Sequence, residues 1–143
     1  MSERNTILTA IETEIKEKIN SSNDYNSDLM EVRRGIAIFE EFTSKPAVAF
    51  WSKDDKSEEG QFAGSDMREL TILFYGFCDT DGYNADAIHN LLDDILYFLQ
   101  NDFTYKDDVY VGDIAIYEGG TSDLAMVFEL EVHIKYERII SEL

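Results

Sequence analysis

The chain has 143 residues but only one cysteine, one proline and two histidines, and its 12 lysines and arginines face 30 aspartates and glutamates. Each shortage excludes something. A single cysteine, Cys78, cannot close an internal disulfide, which points to a chain made in a reducing cytoplasm. Two histidines without a cysteine pair make no zinc signature. Neutralising nucleic-acid phosphates needs clustered bases, yet only Arg33 and Arg34 are adjacent, with Glu31, Glu40 and Glu41 around them. Direct nucleic-acid binding is therefore not expected. No apolar run exceeds a few residues, as in 47–51, where a spanning helix needs roughly 20. The first residues lead into a charged segment and lack the basic and apolar regions of a signal peptide.

What is present is material for a core. Hydrophobic residues make up 44% and aromatics 13% of the chain, which suits one domain over residues 1–143. The formal net charge of −18 is its most unusual property. Such acidity serves solubility and colloidal repulsion, or makes a surface over which DNA passes without sticking.

Ile7, Leu8, Ile11, Ile15 and Ile19 recur at helical spacing, so 6–19 is expected to be helical, capped by Asn5 or Thr6. The favourably oriented pairs Glu12–Lys16 and Glu14–Lys18 support it. Residues 20–27 form a polar break, and 32–42, with Gly35 inside, are expected to be extended. Pro46 leads a short strand over 47–51. Residues 52–66 are acidic and polar, with Phe62 the only large apolar side chain, and predict a long flexible loop. Residues 69–78 are apolar on both faces, which suits a central strand. Asn84 is placed to cap a second helix reaching about Gln100, with Ile88, Leu91, Leu92, Ile95, Phe98 and Leu99 as its stripe. A hairpin closes the chain, with strands over 109–117 and from 124 joined by a turn at 118–121. In the return strand Phe128, Leu130, Val132, Ile134 and Tyr136 face one way, and Glu129, Glu131, His133, Lys135 and Glu137 the other. The expected fold is α+β, a mostly antiparallel sheet of four to five strands with two helices packed on one face.

Catalytic chemistry has little to stand on. Cys78 ends an apolar strand, His89 borders a helix stripe and His133 lies on a polar strand face, none with an obvious partner. Asp79-Thr80-Asp81-Gly82 fails the calcium-loop pattern, because its glycine comes fourth rather than sixth. Gly119-Gly120 makes no phosphate loop, because no G-x-x-x-x-G-K pattern follows it. No catalytic residue, cofactor or metal is expected.

Several segments resemble a known family. Val32-Arg33-Arg34-Gly35, then Phe39 to Phe42, then Pro46-Ala47-Val48 is similar to a segment of the tail terminator proteins of long-tailed bacteriophages. Arg68 to Gly76 with 87–95 resembles that family's central strand and second helix, and Gly112 to Tyr117 with 128–136 its closing hairpin. The resemblance covers residues 6–137 and rests on pattern, size and order. It implies a structural protein, not an enzyme, that forms a homohexameric ring on the head-proximal end of the tail tube. Such a ring stops tube polymerisation and offers the surface to which the head attaches. Implied partners are the tube protein, head-tail connector proteins and further copies of the chain. DNA would pass through without specific binding, and the protein would sit in the virion after assembly in the host cytoplasm.

On that reading, candidate lumen- or partner-facing residues are Asp54, Asp55, Glu58, Glu59, Phe62, Glu129, Glu131 and Glu137, with Ile139 and Ile140 as further apolar candidates. Two alternatives stand beside it. One is a tail-completion or head-to-tail connector protein. The other is a ligand-binding or enzymatic domain, which would show a deep pocket around Cys78, His89 or His133.

Overall fold

The computed structural model describes residues 2–36, 41–57, 65–79, 86–118 and 125–139. Two helices and five strands follow in the order α1 (Glu3–Lys18), β1 (Glu31–Arg34), β2 (Ala47–Ser57), β3 (Ser65–Asp79), α2 (Asp86–Tyr97), β4 (Val109–Glu118) and β5 (Ala125–Ile139). The strands form one sheet in the order β1-β2-β3-β5-β4. The β1–β2 pair is parallel and the other three pairs are antiparallel. This is the expected α+β arrangement, with β3 at its centre. No helix among the described residues is long and apolar enough to cross a membrane.

Both helices pack on the same sheet face because their apolar stripes match its apolar rows. Ile7, Ile11 and Ile15 of α1 and Ile88, Leu91 and Ile95 of α2 share one core with Val48, Phe50, Leu70, Ile72, Phe74, Leu130, Val132 and Ile134. Each such side chain, fully buried, contributes roughly 1.5–3 kcal/mol. Gly76 lies directly across from Phe128, whose ring occupies the space a β-carbon would need: one built there would stand 1.9 Å from the ring.

Helix α1 starts earlier than its stripe implies. Ser2 is the cap, its hydroxyl accepting from the Asn5 amide at 3.2 Å, so Asn5 and Thr6 lie inside the helix. The expected Glu14–Lys18 pair forms at 3.6 Å. Lys18 also donates to the Asp102 carbonyl, and Glu14 accepts from the Thr104 amide. These bonds tie α1 to the chain leaving α2, which ends in a π turn over Phe98–Asp102.

Of the extended segment expected over 32–42, strand β1 covers 32–34, and 37–40 lie outside the described residues. Gly35 ends the strand at φ 139°, a conformation that favours glycine, while its amide still donates to the Phe50 carbonyl. Phe42 instead folds over the opposite sheet face, against Ala47, Ala49, Phe77 and Val127. The expected flexible loop over 52–66 is corrected at 52–57 and 65–66, which are strand, while 58–64 lie outside the described residues. Strand β2 runs on to Ser57 and β3 begins at Ser65, the two paired through a bulge between Ser52 and Asp54. The expected turns at 79–82 and 118–121 fall largely outside the described residues, as does Asn84.

Candidate functional site

Beyond the corner covered by Phe42, the sheet face away from the helices carries no helix among the described residues. Alternation along each strand decides what it presents. Strand β2 contributes Ala47, Ala49 and Trp51, and β3 contributes Thr71, Leu73, Tyr75 and Phe77. The Trp51 and Tyr75 rings stack 4.8 Å apart and nearly parallel, at 7°. Strand β5 adds Glu129, Glu131, His133, Lys135 and Glu137, the row its period predicts. Alternate residues on a strand stand about 7 Å apart, so Glu129 and Glu131 are close like charges. With Lys53, Leu73, Asp113 and Ala115 they line a shallow concavity of about 280 Å³.

The same face holds a polar cluster that sequence reasoning missed. His133 Nδ1 lies 2.9 Å from a Glu69 carboxylate oxygen and 3.1 Å from the Thr71 hydroxyl. Its Nε2 lies 3.9 Å from Glu131. The Tyr110 ring stacks on the imidazole at 4.7 Å, and its hydroxyl donates to Glu69. Four strand positions, 69, 110, 131 and 133, meet only because β3, β5 and β4 are neighbours. Nothing local in the sequence signals that.

The predicted site residues separate. Asp54 pairs across from Thr71 and shares the helix-free face with Glu129, Glu131 and Glu137. One Asp54 carboxylate oxygen is buried with no hydrogen-bond partner among the described residues. Asp55, one residue on, pairs across from Leu70 and turns to the helix side, away from the other candidates. There it accepts from Arg68 Nε at 2.7 Å, from Arg4 at 3.2 Å and from the Tyr136 hydroxyl. Arg68 also donates to Asp66 at 2.7 Å. Bonds to Asp66 and then Asp55 raise the Arg68 pKa further above its ordinary value. Burial, reinforced by the bond to Asp55, pushes the Tyr136 hydroxyl up to about 12. Asp55 thus seals the end of the core. Glu58, Glu59, Phe62 and Ile140 lie outside the described residues; Ile139 belongs to β5 rather than following it.

A cleft of about 410 Å³ does border Cys78, with Asn26, Met30, Lys45, Asp79 and Asn90 among its walls. Its chemistry does not favour a nucleophile. Burial, and then the nearby Asp79 carboxylate, pushes the Cys78 thiol up to about 12, and it donates weakly to the Ala87 carbonyl at 3.6 Å. At neutral pH it is a thiol rather than the reactive thiolate. His89 is exposed on α2, and His133 lies on the opposite sheet face. Among the described residues no three metal-ligating side chains converge.

Asp94 is buried for another reason. Its two oxygens accept from the amides of Asn26 and Ser27 at 3.0 and 2.8 Å, fastening the polar segment after α1 onto α2.

The chain matches no protein-family model and no curated protein.

Proposed function

We propose that this chain is a structural protein of the phage tail terminator kind, forming a hexameric ring that caps the tail tube and receives the head. The observation that carries the reading is the helix-free sheet face, where one row of β5 holds Glu129, Glu131 and Glu137, with His133 and Lys135 between the last two, and β2 adds Asp54 on the far side of β3. A carboxylate row on a sheet face suits the wall of a channel through which DNA slides. At physiological ionic strength charges act over about 8 Å, so such a wall repels phosphate on close approach and leaves a strand in mid-channel unhindered. The pattern resemblance over residues 6–137 supports the same reading. On it, the protein belongs to the virion, and its partners are its own copies, the tube protein and the connectors. The chain itself makes and breaks no bond.

The test is electron microscopy of lysates from the encoding phage with this gene disrupted. Overlong tubes beside filled, tailless heads are the expected result. Normal-length capped tails beside unattached heads would move the protein to the connector role, and normal infectious particles would overturn both. Replacing Glu129, Glu131 and Glu137 together by Lys should leave rings intact and slow DNA passage.

A further inference from the structure

Among the described residues the large exposed apolar side chains are Met30, Ile36, Tyr97, Tyr110 and Ile114, at 44% to 74% exposure. Four of these five stand at the two outer edges of the sheet. Met30 and Ile36 bracket β1, and Tyr110 and Ile114 belong to β4. No strand among the described residues lies beyond either edge. An edge strand is a template for pairing with another chain; here β1 is short and β4 is bulged between Val111 and Ile114, so each edge offers only a few regular residues.

The two edges differ in charge. Strand β1 ends in Arg33, which is paired with the Glu41 carboxylate, and Arg34, which among the described residues is bonded only to the neutral side chains of Asn5 and Thr9. Strand β4 is entered through Asp107 and Asp108 and carries Asp113, all three exposed. The β1 edge therefore offers one guanidinium, Arg34, that no carboxylate among the described residues neutralises, where the β4 edge offers carboxylates.

Strand direction completes the match. β1 and β2 run one way, β3 the other, β5 with β1, and β4 against β1. Rotation about an axis along the strands preserves direction, so β4 of a rotated copy would meet β1 antiparallel. We propose that copies of this chain pair edge to edge, β1 of one against β4 of the next, to continue the sheet around a closed ring. The occupant of each edge is a second copy, and the interface is heterologous, the kind that closes rings. Every helix then lies on one side of the continued sheet and every carboxylate row on the other. The helix layer needs the longer circumference, so the carboxylates face inward. β1 has only four residues, so one junction is weak and ring closure supplies the rest. The inference rests on the ring reading and names its contacts.

The test uses the full chain with Ile36→Cys and Ile114→Cys, treated with a bismaleimide at high protein concentration. Native Cys78 is buried and does not compete. The double variant should give a covalent ladder ending at six copies, and neither single variant should link. A ladder that ends elsewhere would support the edge pairing and count against the hexamer. Six-fold rings by native mass without covalent links would overturn the edge pairing and leave the ring reading standing. Dimers from a single variant, or no multimer by either method, would overturn the pairing. Adding Arg34→Glu should weaken the ladder about tenfold, and adding Asp113→Arg to that chain should restore it. Failure of that rescue while linking otherwise persists would overturn the charge match.

Discussion

On β3, Leu70, Ile72 and Phe74 are fully buried beneath the helices, whereas Leu73 and Tyr75, one position along, are only half-buried on the other face. β5 repeats the contrast: Leu130, Val132 and Ile134 are buried, while Glu129, Glu131 and His133 between them keep partial contact with solvent. The helix-side rows are apolar at these positions because both helices close over them, and turn polar only at the Asp55, Asp66 and Arg68 end. The other face mixes stacked aromatics with carboxylates, a composition that neither a solvated face nor a core would need. A stability role explains the first face, and the proposed function assigns the second to a partner or passing DNA.

The sharpest way to break this contrast is to cut the same strand on each face. Phe74→Ala should cost about 3–5 kcal/mol in urea unfolding, from lost burial and the cavity left beside Phe50. Leu73→Ala should cost about 1 kcal/mol, because part of its surface already meets water. Next comes the Asp55 network. Asp55→Ala leaves Arg68 with one carboxylate partner and Tyr136 without its acceptor, and should cost about 2–3 kcal/mol, below the full value for a buried pair because Arg4 and solvent reach it.

A smaller effect follows from pH. Burial and Asp55 hold the Tyr136 hydroxyl at about 12, above its ordinary value of 10, so the folded state keeps that proton longer than the unfolded chain does. The stability it contributes is complete below pH 10 and is lost as pH rises towards 12. Tyr136→Phe should therefore be less stable than the native chain by about 1 kcal/mol at neutral pH, with the gap shrinking over that alkaline window. The smallest effect belongs to the helix-free face. Glu129→Gln with Glu131→Gln should change unfolding free energy by no more than about 0.5 kcal/mol, and relief of repulsion makes a slight gain the expected sign.

Periodic elements were legible in the sequence. The alternation from Phe128 to Tyr136 marks both faces of β5, the two-sided apolar run in β3 marks a central strand, and the stripes of α1 and α2 mark two amphipathic helices. The outer half of β2 was not. Ser52 to Ser57 has no apolar residue, and it is a strand because β3 supplies a hydrogen-bonding neighbour across the bulge, from Ile72 to Arg68. Strand alternation sends Asp54 and Asp55 to opposite faces, and the bulge before them decides which faces the helices, so two adjacent acids that look equivalent in sequence have different surroundings. The carboxylate row at 129, 131 and 137 could be listed from the period of β5. Its stacked neighbours Trp51, Tyr75 and Tyr110, and the His133–Glu69 contact, depend on strand order, which no local pattern encodes. Ser2 was missed as a cap because the apolar stripe begins only at Ile7.

The most direct test of the account is a cryo-electron microscopy reconstruction of the assembled particle, at a resolution that separates helices from strands. The account predicts a six-fold ring at the head-proximal end of the tail tube, with α1 and α2 outside and the sheet face bearing Glu129, Glu131 and Glu137 lining the channel. A particle without this ring, or a ring whose channel is lined by the helices, would contradict it.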